Sequence, residues 1–308
     1  MRNSFLKPLG LIAFGLLSIL GLSTLKPYLE PLAVRSVSFG AVCKNKDLIG
    51  SKDILETLDA LIEKSGADNC DDAQRSLANM ESVTLGARDL SDLSLLGVLK
   101  NVRTLDLGTN RLETLESLPA LKTLETLRLW DNQLTSTKGM ERLEGLKTLY
   151  LWGNRIASLN GDFLPSDIRE IYLGENLVAE MKNMKPLKAL KILSLSENKL
   201  NHIDFCKLPP SLETVILGDN ELRSMTGVSC LMNASYVSLE NYMGSDLHKL
   251  AAAPSLERLD ISGVKDVKDL GFIKSMKNIR RIDFGENNFA YNSVGDYEPV
   301  RFQKMGQN

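Results

Sequence analysis

Only two histidines, His202 and His248, occur in 308 residues, and they lie far apart in the chain. A histidine-based catalytic or metal site is therefore not expected, and both read as surface residues. The four cysteines include no CxxC pair, which argues against dithiol redox catalysis and against a zinc site alike. No phosphate-binding loop, nucleophile–base pair or metal cluster is legible, so no catalytic residue and no cofactor is expected and the chain does not read as an enzyme. An excess of one charge is missing too: 37 basic residues against 39 acidic ones give a net charge of −2. That balance sets up no global field toward nucleic acid or an acidic membrane, so partners must be sought in local surface chemistry. What remains is ordinary globular material, 43% hydrophobic and 25% charged, long enough to bury a large core.

What is present is a period. Residues 124–134 read LETLRLWDNQL, and the pattern returns at 102–112, 146–156, 168–178, 190–200 and 212–222. Its asparagines, Asn110, Asn132, Asn154, Asn176, Asn198 and Asn220, are each 22 residues from the next. Aligned on the apolar-x-apolar pair, the series runs from Val83/Leu85 to Ile282/Phe284, ten coils in all. Alternation puts the two leucines of each pair on one face of an extended segment, and the asparagine can satisfy backbone groups where the chain turns inward. No coil is stable alone, because each buries its leucines on its neighbours. The LxxLxLxxNxL motif, over about two thirds of the chain, resembles the leucine-rich repeat family, and the period of 22 resembles its bacterial internalin-like class. The resemblance implies an α/β fold: a leucine-rich repeat solenoid, a curved right-handed horseshoe with a parallel β-sheet on the concave face. Short helical or 3₁₀ turns are implied on the convex face.

Around the array, the chain divides as 1–25 export segment, 26–42 linker, 43–79 N-terminal helical cap, 80–290 repeat domain and 291–308 polar tail. Arg2 and Lys7 precede an uncharged apolar stretch, 8–25, which has the layout of an export signal. Cleavage after Ser23 leaves Gly21 and Ser23 at the positions a signal peptidase reads, but the length also suits an uncleaved membrane anchor. Either way the protein is expected outside the cytoplasm: periplasmic, cell-surface or secreted. In the cap, Ser51 precedes a stripe of Ile54, Leu55, Leu58, Leu61 and Ile62, Gly66 ends that helix, and Asp71 can start a second with Ala73, Leu77 and Met80 inward. Such a cover is what the first coil of a solenoid needs. In an oxidising compartment Cys43 and Cys70 are expected to bond across the first cap helix, and Cys206 and Cys230, on neighbouring coils, can meet if their geometry permits. In the last coils Tyr242 and Val264 replace the asparagine, the irregularity expected of a terminal cap.

The free positions beside the sheet leucines face the concave surface. Both tryptophans, Trp130 and Trp152, fall at one position of adjacent coils, with Tyr150 and Tyr172 one column over beside Arg128. Strands about 4.8 Å apart would make these five one contiguous patch. Trp, Tyr and Arg dominate binding hot spots, because each combines large rigid area with a polar handle. The bland alternative is that the rings stack merely to stabilise the sheet. A protein partner is expected, and a glycan also suits a stacked aromatic platform. Asp131, Glu175, Glu197, Asp219 and Glu286 form an acidic line that reads as a solvated edge rather than a cation site. The leading reading is an exported, non-catalytic protein-recognition module; a membrane-anchored structural component of a bacterial envelope is the alternative.

Overall fold

The computed structural model describes residues 38–265 and 270–285, together with the backbone of the strand Arg301–Gln303. The export segment, residues 26–37 of the linker, Asp266, Glu286, Asn287 and the remainder of the tail lie outside the described residues.

The cap is three helices: α1 (Phe39–Lys44), α2 (Lys52–Ser65) and α3 (Cys70–Asn79). The linker thus gives way to the cap earlier than residue 43. Ser38 Oγ accepts from the Ala41 N–H at 3.3 Å, and Phe39 and Val42, three apart on one helix face, are both buried. Ser51 caps α2 through the Ile54 N–H at 3.4 Å, and Gly66 ends it at a left-handed φ of 65° that glycine adopts without strain. α3 starts one residue before Asp71, because the Asn69 side chain takes the Asp72 N–H at 3.0 Å. Leu58, Leu61, Ala73 and Leu77 are fully buried, and the Thr57 hydroxyl donates to the Asp92 carbonyl at 2.6 Å, fastening α2 to the first coil. The Cys43–Cys70 disulfide joins α1 to α3 with their Cα atoms 5.8 Å apart.

Each of the ten apolar pairs contributes one three-residue parallel strand, from Ser82–Thr84 to Arg281–Asp283. The pairing is in strict register: Leu127 sits opposite Leu105 on one side and Leu149 on the other, and all three are 0% exposed. Full burial of a leucine contributes about 1.5–3 kcal/mol, so stacking the coils is what holds the domain together. The strand Arg301–Gln303, inside the segment expected to be a polar tail, pairs parallel with Arg281–Asp283 and makes the sheet eleven-stranded. The opposite side carries 3₁₀ turns such as Ser94–Val98 and Met140–Arg142. It also carries two small parallel sheets, Ser158–Asn160 with Glu180–Lys182 and His202–Asp204 with Ser224–Thr226.

The asparagines form a buried ladder. Asn132 Nδ2 donates to the carbonyls of Leu107, one coil back, and Leu129 at 3.0 and 3.1 Å, and its Oδ1 accepts from the Leu112 N–H at 3.1 Å. Asn154, Asn176, Asn198 and Asn220 repeat this set. The residue before the asparagine is left-handed in every one of these coils. Thr109, Asp131, Glu175, Glu197 and Asp219 have φ between 49° and 54°, and Gly153 takes the same place. Tyr242 replaces the ladder by other means: its buried hydroxyl donates to Asp246, which accepts from the Met225 N–H of the preceding coil at 3.2 Å and from Lys249 at 2.7 Å. Cys206 and Cys230 are bonded, Cα atoms 5.1 Å apart, clipping two neighbouring coils on the side away from the main sheet. Among the described residues no helix is long and apolar enough to cross a membrane; the apolar stretch 8–25 lies outside them.

Candidate functional site

Register places the five patch residues. Arg128 pairs with Tyr150 and Tyr150 with Tyr172 in consecutive strands, while Trp130 and Trp152 follow two residues after the first two. The indoles of Trp130 and Trp152 stack with centroids 5.3 Å apart and planes within 7°. The rings of Tyr150 and Tyr172 do the same at 4.8 Å and 6°, and the Arg128 guanidinium lies over Tyr150 at 5.6 Å. These offset stacks and the cation–π contact strengthen the sheet and fix each ring in place. The patch is therefore pre-organised, and all five side chains remain partly exposed, Trp152 the most at 37%.

The stacks consume most of the ring faces. Trp130 lies over Gly108, where an added Cβ would come within 2.3 Å of the indole, so its outer face is closed by backbone. Tyr150 is held between Arg128 and Tyr172. The Tyr172 hydroxyl donates to Glu170 at 3.3 Å; burial, then the charge of Glu170, pushes its pKa up to about 12, so it stays a neutral donor. The flat platform expected to suit a glycan is thus a set of rings stacked on one another, with few free faces.

A second cluster ends the same surface, outside the coils that carry the aromatic patch. Arg258 lies 4.7 Å over the Tyr236 ring, donates through Nε to Asp283 at 2.9 Å, and is joined there by Arg281 Nε at 2.7 Å. The Asp283 side chain is completely buried, and two arginines supply the paired charge that such burial requires. Burial works against the Arg258 charge, and the Asp283 carboxylate more than offsets it, raising its pKa. Spacing alone does not single these residues out, although a signal exists: the strand columns of the aromatic patch, extended into the last two coils, give Arg-x-Asp twice, at 258–260 and 281–283.

The acidic line runs beside the tryptophans. Asp131, Glu175, Glu197 and Asp219 are exposed on the left-handed residues, and Glu286 lies outside the described residues. Burial first, and then repulsion from Asp219 and Asp260, raises the Glu240 carboxyl above its ordinary value. Among the described residues no three His, Cys, Asp or Glu side chains are grouped to hold a metal ion. His202 and His248 are exposed, and His202 meets the hydroxyls of Ser224 and Thr226. At the cap, a cleft of about 520 Å³ is lined by Glu56, Asp59, Glu63, Asp89 and Arg88, and Arg88 binds Glu63.

Comparison with known proteins bears on the fold. The family model for the leucine-rich repeat domain of endo-beta-N-acetylglucosaminidase EndoS matches residues 122–220, the stretch that carries the whole patch. No curated protein matches the chain by sequence. Among solved structures, an internalin (inlF) from Listeria monocytogenes is 19% identical with a TM-score of 0.66, over 85% of this chain and 77% of that one. The functional domain of InlJ from Listeria monocytogenes, which includes a cysteine ladder, is 13% identical with a TM-score of 0.52, over 70% of this chain and 51% of that one. A chain of the LRIM1/APL1C complex is 18% identical with a TM-score of 0.58, over 69% of this chain and 41% of that one. Against the last two the chain spans about half or less of the neighbour's length. Coils in unbroken register, most of them 22 residues long, the asparagine ladder between them and these likenesses give the chain a leucine-rich repeat solenoid fold, similar to that of the internalin.

Proposed function

We propose that the protein is an exported recognition module that binds a protein partner through Arg128, Trp130, Tyr150, Trp152 and Tyr172. The leucine-rich repeat fold points to non-catalytic protein–protein recognition, and one solved neighbour is a chain of a two-protein complex. The observation that carries the choice of surface is the rigid cluster of both tryptophans, two tyrosines and an arginine on three neighbouring coils. Rigid amphipathic side chains lose little entropy when covered, which is why such clusters anchor interfaces. Two disulfides and the apolar stretch 8–25 support an oxidising, extracytoplasmic location.

The test replaces Trp130, Tyr150 and Trp152 by alanine, confirms an unchanged circular dichroism spectrum, and compares partners captured from native extract. Loss of one defined species is the expected result; equal recovery overturns the reading. N-terminal sequencing of the mature protein addresses the anchored envelope alternative, which a start near Thr24 eliminates.

A further inference from the structure

The tryptophan stack is asymmetric. Its N-terminal end is closed, with Trp130 seated on Gly108, whereas the next residue beyond Trp152 in the same column is Gly174. A Cβ built on Gly174 meets only the Ser196 carbonyl, at 3.5 Å, so no indole covers this glycine as one covers Gly108. Trp152 is also the more exposed of the pair, and among the described residues Trp130 is the ring stacked on it. The outcome is an open slot: the outer face of Trp152 as wall, the glycine backbone as floor, and Glu175 and Glu197 in the next two coils along its rim.

The wall and rim share a sign. An indole face presents the negative lobe of its quadrupole, and the backbones that carry Glu175 and Glu197 lie one and two strand spacings on, about 5 and 10 Å. This chain's own arginines already use the tyrosines in this way, Arg128 on Tyr150 and Arg258 on Tyr236, and the described residues place none over Trp152. We propose that the slot over Gly174 receives an arginine side chain of the partner protein, its guanidinium stacked on Trp152 and paired with Glu175 or Glu197. A guanidinium fits better than an ammonium because it is planar, weakly hydrated and able to bond a carboxylate while stacked. The inference rests on the recognition reading and names the chemistry of its partner.

The probe is an acetylated tri-arginine amide titrated into the purified protein, followed by the indole N–H resonances of Trp130 and Trp152, assigned with Trp130→Phe and Trp152→Phe. The Trp152 resonance shifts saturably, and the neutral tri-citrulline peptide binds at least about tenfold more weakly. Gly174→Leu, which fills the slot without a backbone clash, abolishes the shift, and Glu175→Gln with Glu197→Gln weakens binding about tenfold while leaving the ring stacks untouched. Equal binding of citrulline or tri-lysine, or shifts that survive both variants, overturns the proposal. Should the peptides be silent while partner capture still depends on Trp130, Tyr150 and Trp152, the arginine slot fails and the recognition surface stands. Capture indifferent to those residues removes the surface itself.

Discussion

The side-chain amide of Asn154 donates to the carbonyl of Leu129, one coil back, at 2.9 Å, and to that of Leu151 in its own coil at the same distance. Its Oδ1 takes the Leu134 N–H at 3.0 Å, so one buried side chain satisfies three backbone groups that no strand reaches. Asn154→Ala leaves the two carbonyls with their second donors, Asn132 on Leu129 and Asn176 on Leu151, but strands the Leu134 N–H, and is expected to cost about 1–3 kcal/mol, the cost of one buried unpaired group. Urea titration of the variant checks this, and a loss below about 1 kcal/mol means that water replaces the amide.

This ladder is legible in the amino-acid sequence because the pattern LxxLxLxxNxL encodes two things at once: burial of the leucines and satisfaction of the turn. The patch is legible by column, since period 2 within a strand and period 22 between strands fix which side chains are neighbours. Ring orientation is not. Whether Trp152 turns its face to solvent or to Trp130 depends on χ angles set by contact with Gly108 and Trp130, which spacing does not encode. The Asp283 cluster is hidden for a different reason: an aspartate in a strand reads as solvated until the two arginines that neutralise it are in place. Phe39 and Val42 resemble a tether because the six residues of their helix are too few to display a helical period.

Thr109 is left-handed at φ 53°, a conformation in which a β-branched side chain is strained. Thr109→Asn, which keeps a polar side chain tolerant of this region, is expected to raise stability by about 1 kcal/mol. A thermal melt shifted downward instead shows that the threonine makes a contact worth more than its strain.

The clip between Cys206 and Cys230 spans 24 residues, and Cys43–Cys70 spans 27. Replacing both partners of either pair by serine is expected to lower stability by about 2–4 kcal/mol. Denaturation with and without reductant should show each double variant insensitive to reduction of the bond that it lacks.

Acid should loosen the network around Tyr242. Burial pushes the Asp246 carboxyl up, but hydrogen bonds from Lys249, Tyr242 and the Met225 N–H more than offset it, so its folded pKa lies below the ordinary carboxylate value. A lowered folded pKa means stability present above the unfolded value and lost as pH falls through the folded one. Asp246→Asn is therefore less stable at neutral pH and shows a flatter loss of stability below about pH 4. Parallel acid titrations of the two proteins, monitored by circular dichroism, decide it; identical slopes remove Asp246 from the account.

Every asparagine of the ladder reaches back toward the N-terminus, and the ladder stops at Asn220, with Tyr242 taking its place one coil later. The Cys206–Cys230 clip crosses close to that change of fastening. Viewed as a mechanical object, the solenoid is a spring whose turns are welded alike up to that coil and riveted once near its end. Under tension along its axis, the turns after Cys230 should peel first, one at a time, and the extension should pause at the rivet while the coils bearing Trp130 and Trp152 keep their shape.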